Sequence, residues 1–143
     1  VRIVRAEIEK VARLEVKLAL PPKTIVHMDA SVLGQLLLNL LLNAAQAFPE
    51  GTPQQHRVTV LGRVADSSPP GLVLSVEDNG PGIAPEHMDR VFEPFFTTKE
   101  HGTGLGLAIC RELVTRAHGT LAVQNLASGG ARFDVTVPIA KSD

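Results

Sequence analysis

The chain has no tryptophan and no tyrosine, and its aromatic content is five phenylalanines. Its core must therefore be aliphatic, filled mainly by Leu and Val. The single cysteine, Cys110, excludes an internal disulfide and points to a reducing, cytoplasmic setting. Set in a helical pattern, it reads as a buried structural thiol. Basic residues are scattered and the net charge is −1, so the electrostatic footprint of a nucleic-acid partner is missing. The most apolar run, Leu36 to Leu42, is interrupted by Asn39. It falls far short of the ~20 residues that a membrane span needs, so no direct membrane contact is expected. Val1 to Lys10 mixes charged and apolar residues and does not read as a signal peptide. The histidines at 27, 56, 87, 101 and 118 show no paired metal-ligand spacing.

What is present suits one globular domain: 143 residues, 44% hydrophobic and 20% charged. The chain starts without Met, and residues 1–12 read as the tail of a preceding dimerisation helix or linker. A fragment of a longer protein is expected. Arg13 to Leu20 alternates, with Leu14, Val16, Leu18 and Leu20 on one face, which predicts a half-buried strand. Ile25 to Met28 reads as a second, short strand. Asp29 is placed to cap a long helix that runs to about Phe48, before Pro49, Gly51 and Pro53.

Val58 to Val64 and Leu72 to Val76 predict an antiparallel pair. A loop, a short helix and another loop follow. Leu105, Ile109 and Leu113 recur at i, i+4 along a helix ended by Gly119 as its C′ residue. Leu121 to Asn125 and Arg132 to Val137 close the domain as two strands, within a unit spanning 13–140 and a polar tail at 141–143. This order of elements predicts an α+β two-layer sandwich.

Chemistry concentrates between Glu77 and Ile109. Asp78 ends an apolar strand and precedes the sharp turn Gly80-Pro81-Gly82. It is either a turn-forming acid or a recessed carboxylate that accepts hydrogen bonds from an exocyclic amine. Gly102, Gly104 and Gly106 run into a helix, the arrangement of an anion cradle and hinge, and Lys99 adds a positive charge upstream. On the long helix, Gln35, Asn39, Asn43 and Gln46 share about 80° of arc. That stripe is either a solvent face or a set of amide oxygens able to meet a hard cation beside phosphate. Competing nucleotide motifs are missing: no P-loop, no dinucleotide fingerprint, no H-R-D or D-F-G, and no G-x-S-x-G elbow.

In order along the chain, these pieces resemble the catalytic and ATP-binding domain of bacterial sensor histidine kinases. That domain belongs to the Bergerat-fold superfamily, with gyrase B and the mismatch-repair and chaperone ATPases. Asn39-Leu-Leu-Leu-Asn43 is similar to the N box, and Asp78-Asn-Gly80-Pro-Gly82 to the first glycine box. Phe92-Glu-Pro-Phe95-Phe96-Thr-Thr-Lys99 is similar to the F box, and Gly102-Thr-Gly104-Leu-Gly106-Leu107 to the second glycine box. Gly129-Gly130 with Phe133 fits the closing hairpin.

The resemblance implies a mixed, mostly antiparallel sheet covered on one face by about three helices. It implies ATP and Mg²⁺ as cofactors, with Asn43 on the metal and Asn39 and Lys99 in the catalytic part. Asp78 would bind the adenine amine, with Gly80, Gly82 and Ile83 forming the base pocket. Thr98, Lys99 and the stretch Gly102, Thr103, Gly104, Leu105, Gly106 and Leu107 would form the lid and phosphate cradle. The implied partners are a phosphoacceptor domain of the same protein and, downstream, a response regulator, with a homodimeric parent and a monomeric fragment. Asn39, an amide where gyrase-like relatives carry a water-activating glutamate, implies slow hydrolysis. Gln46 departs from a common basic residue, and no H box with a phosphoacceptor histidine occurs. A serine kinase of the anti-sigma-factor type, or a nucleotide sensor without catalysis, are the alternatives on the same fold.

Overall fold

The computed structural model describes residues 13–19, 29–46, 56–65, 70–96 and 106–139. Within them run β1 (Arg13–Ala19), α1 (Ala30–Gln46), β2 (Arg57–Ala65), β3 (Gly71–Asp78), α2 (Gly106–Arg116), β4 (Thr120–Asn125) and β5 (Ala131–Pro138). A single 3-10 turn, Pro85–His87, stands where the short helix is expected. The strands form one sheet in the order β1-β2-β3-β5-β4. β1 runs parallel to β2, and the other neighbours are antiparallel. The expected strand at Ile25 to Met28 lies outside the described residues.

Two-residue periodicity decides which side chains meet the helices. On β5, Ala131, Phe133, Val135 and Val137 are buried, while Arg132, Asp134 and Thr136 between them are half-buried. Leu72, Leu74 and Val76 of β3 and Val58 and Val60 of β2 complete that face of the core. β3 is central, flanked by β2 and β5, and Val73 and Ser75 on its other face are buried as well. That placement explains its near-continuous apolar run.

Asp29 caps α1. Its Oδ1 accepts from the Ser31 amide at 2.9 Å and the Ser31 hydroxyl at 2.8 Å, and its carbonyl accepts from Leu33 N–H. These bonds hold the Asp29 carboxyl below its ordinary range. Leu36, Leu40 and Ala44 form the buried stripe of α1. α1 packs over β3 and β2, α2 packs over β4 and β5, and the two helices pack against each other. The result is the expected α+β two-layer sandwich with helices on one face of the sheet.

Three local expectations need correction. Val16 and Leu18 remain 47% and 57% exposed, because β1 lies at the rim of the sheet beyond the helices; among the described residues of that face only Leu14 reaches the core, and Leu20 lies outside them. On α2 the fully buried residues are Cys110 and Val114, about one residue (100°) round from the expected stripe; of that stripe Leu113 packs half-buried against the core, Ile109 is 37% exposed, and Leu105 lies outside the described residues. That rotation follows from α2 having to meet α1 and the sheet together. Finally, His118, not Gly119, takes the left-handed position at the end of α2, with φ 61°. His118 N–H bonds to Thr115 and Gly119 N–H to Val114, a Schellman ending. Gly119 is needed for proximity: a Cβ there would stand 2.3 Å from the Thr136 carbonyl oxygen.

The sheet face away from the helices carries polar groups. Arg132 Nε donates to both Asp134 oxygens at 2.9 and 3.2 Å, and its guanidinium lies 3.6 Å from Glu77. The Ser75 hydroxyl also donates to Asp134. A shallow groove of about 380 Å³, lined by Leu61, Arg63, Val73 and Ser75 among others, lies on this face. Asp78 is not among its walls.

Candidate functional site

Asp78 is the last residue of β3, on the side chain parity of Leu72, Leu74 and Val76. Its carboxylate therefore falls on the helix-covered side, and the residue is only 6% exposed. The local chain fixes it. Asp78 Oδ1 accepts from Gly80 N–H at 2.9 Å, a turn closed by the acid itself, and from Ala131 N–H of β5 at 3.3 Å. Next door, Asn79 Oδ1 accepts from Arg57 N–H at 2.6 Å and pins the turn to β2.

Gly130 makes the hairpin fit under Asp78. Its φ is +96°, and a Cβ would lie 1.9 Å from the Asp78 carbonyl oxygen and 3.0 Å from Asn79 Cα. The loop beyond Asp78 is then tied to β4: Asn125 Oδ1 accepts from Ile83 N–H and Asn125 Nδ2 donates to Ile83 O, both at 2.8 Å. Ile83 packs against the core beside this frame. Asp78, Gly80, Gly82 and Ile83, expected to form a base pocket, are thus brought together. Asn125 was not anticipated, although a strand-ending Asn is a β-disfavoured choice and so a signal.

A second group gathers on the helices. Asn39 and Asn43 are half-buried, whereas Gln35 on the same stripe is exposed. Asn39 hydrogen-bonds the Cys110 thiol on α2, and Cys110 Sγ also lies 3.8 Å from the Leu36 carbonyl oxygen. Burial pushes that thiol up to about 12, with the Asn39 bond acting against the rise. Cys110 is thus an inert core residue, as its sequence setting implied, and it links α1 to α2. α2 begins at Gly106, which is exposed, with Leu107 packed toward the core. A helix N-terminus offers free N–H groups to an anion.

The aromatic segment divides into distinct jobs. Phe92 meets Phe133 edge-on at 6.0 Å. Phe96 meets His87 edge-on at 5.3 Å and lies under the Arg90 guanidinium at 4.8 Å. Phe95 points outward, 75% exposed, with φ 68°. Thr98, Lys99, Gly102, Thr103, Gly104 and Leu105 lie outside the described residues.

A recessed, backbone-braced acid beside a glycine turn, with half-buried amides on a neighbouring helix, suits a nucleotide. Comparison with known families decides which kind. Residues 28–141 match the family described as histidine kinase-, DNA gyrase B-, and HSP90-like ATPases. The chain belongs to this family. As a member of these ATPases it is an ATP-binding domain.

Sensor histidine kinase ZraS of Escherichia coli O157:H7 is 42% identical over 114 residues, covering 80% of this chain and 23% of ZraS. The two-component sensor PprA of Pseudomonas aeruginosa is 41% identical over 120 residues, covering 82% of the chain and 13% of PprA. Among solved structures, the mycobacterial sensor histidine kinase MprB superposes with a TM-score of 0.77 at 32% identity, covering 99% of this chain and 91% of that one. Full-length ShkA in complex with AMPPNP gives 0.76 at 32% identity, covering 99% of this chain and 29% of ShkA. This ATPase-family domain thus spans about a quarter or less of the curated relatives described. Among its described residues no helix is long and apolar enough to cross a membrane.

Proposed function

We propose that this domain binds Mg-ATP and serves as the kinase module of a two-component sensor, passing the γ-phosphoryl group to a histidine on a phosphoacceptor domain outside this chain. One observation carries the reading: Asp78, buried and braced by Gly80 and Ala131 N–H groups, is shaped to accept a hydrogen bond from the adenine amine. Asn43 supplies an amide oxygen for Mg²⁺. Among the described residues no three His, Cys, Asp or Glu cluster as a metal cage. Mg²⁺ suits that poverty, since it binds through few protein ligands and completes its shell with phosphate oxygens and water. When bound, it would neutralise charge on the transferring phosphoryl group.

The chain's own groups do the rest. Asp78 orients the base, the α2 N-terminus faces the phosphates, and Lys99 with Thr98 and the Gly102–Leu107 segment closes over them as a lid. Asn39 supports the phosphate side and cannot act as a general base, which favours transfer over hydrolysis. We read this domain as cytoplasmic, within a homodimeric parent that relays phosphate to a response regulator; the name of PprA as a two-component sensor supports the relay. The same amide at Asn39 disfavours the serine-kinase alternative.

Asn43→Asp tests the metal role. Titration of ATP by calorimetry at several Mg²⁺ concentrations should show the concentration needed for half-maximal binding shifted by about tenfold or more. Unchanged Mg²⁺ dependence would remove Asn43 from the metal site.

A further inference from the structure

We infer that Asn125 is the positioning residue of the base pocket, holding the Gly80–Ile83 loop at the height that lets Asp78 discriminate adenine. The inference rests on the nucleotide reading above and adds to it a residue that never touches the base. Asn125 ends β4, paired in register with Ala131. The Ala131 N–H reaches Asp78 Oδ1 at 3.3 Å, so the carboxamide and the acid share one backbone frame.

From that frame the carboxamide bonds Ile83 twice, accepting from its N–H and donating to its C=O, both at 2.8 Å. The side chain thus imitates a β-ladder partner for the Ile83 backbone. Few side chains can do this. The primary amide of Asn or Gln carries a donor and an acceptor on one carbon, and Gln is a methylene longer.

The loop is also seated on Asn125 sterically. Gly82, at φ +81°, comes so near that a Cβ would lie 2.9 Å from Asn125 Oδ1 and 3.4 Å from the Gly130 carbonyl oxygen. Gly80 is held from the other side by Asp78 Oδ1 at 2.9 Å. The wall of the pocket is therefore clamped between the recognising acid and the Asn125 amide. Releasing one clamp leaves Asp78 in place but lets the wall drift from it. Affinity for adenine falls, and a base that does not use Asp78 is little affected.

The test titrates ATP and GTP by calorimetry, with Mg²⁺, into the unsubstituted chain, Asn125→Ala and Asn125→Asp. Both variants should bind ATP about tenfold more weakly, Asn125→Ala through two lost hydrogen bonds and Asn125→Asp through one lost bond and the repulsion that replaces it, and GTP within about twofold of the parent. Asn125→Asp preserves size and the bond from Ile83 N–H, but sets a carboxylate against Ile83 O. It keeps the test decisive if Asn125→Ala fails to fold. A staple that serves stability alone would weaken both nucleotides equally, and that result, or unchanged ATP affinity, overturns the role of Asn125. Lack of ATP preference in the unsubstituted chain would overturn the base-pocket reading, and this inference with it.

Discussion

Asp78→Asn should lower affinity for ATP by about 10- to 100-fold, the range expected when a charge-assisted hydrogen bond is lost. The substitution is nearly isosteric. An amide oxygen at the Oδ1 position still accepts from Gly80 and Ala131 N–H groups, so the turn and the β3–β5 junction survive. What changes is the character of the group toward the base. A carboxylate only accepts, which suits the adenine amine and repels the guanine carbonyl. A carboxamide also donates. The ratio of ATP to GTP affinity should therefore collapse, with the melting temperature little altered. Paired calorimetric titrations check this, and an unchanged ratio would mean that Asp78 does not read the base.

Gly130→Ala should have the largest effect on folding, a loss of about 2–5 kcal/mol. Two costs combine there. The backbone at φ +96° is strained for any L side chain, and the new methyl would sit 1.9 Å from the Asp78 carbonyl oxygen. The neighbouring hairpin residue separates them. Gly129 has φ +103° but nothing within 4 Å of its Cβ position, so Gly129→Ala carries the strain alone, about 1–2 kcal/mol. Denaturant unfolding of the two variants should differ by the cost of the close approach. Equal destabilisation would show that the hairpin does not press against Asp78 as described. Because the clash is with the backbone of Asp78 at the end of β3, Gly130→Ala should also weaken ATP binding in whatever fraction folds.

The local chemistry of the site was legible where it is written in adjacent residues. An apolar run ending in Asp78 and then Gly80-Pro81-Gly82 specifies a strand, an acid and a turn without reference to the rest of the chain. The helix cap at Asp29 is legible for the same reason. Legibility failed where a residue's role depends on a distant partner. Asn125 acts on Ile83, 42 positions away, and Ala131 acts on Asp78, 53 positions away.

Such pairings exist only after β4 and β5 have joined the sheet. Helix phase failed similarly: α2 presents Cys110 and Val114 because α1 and the sheet meet it there, a constraint that its own periodicity does not contain. On β1, alternation predicted burial for Val16 and Leu18, but position at the rim of the sheet decides exposure. Asn39 and Asn43 are half-buried while Gln35 on the same stripe is exposed, a difference within one stripe that spacing alone does not contain.

The most direct measurement incubates this domain with a histidine-bearing helical phosphoacceptor domain of the proposed kind and ATP radiolabelled at the γ-phosphate, with Mg²⁺. Phosphohistidine is acid-labile and stable to alkali, so the two treatments identify the acceptor. The proposed function predicts label on histidine, lost when Asp78 or Asn43 is substituted. Acid-stable label on serine, or no transfer from a domain that binds ATP, would contradict the assignment as a histidine kinase module.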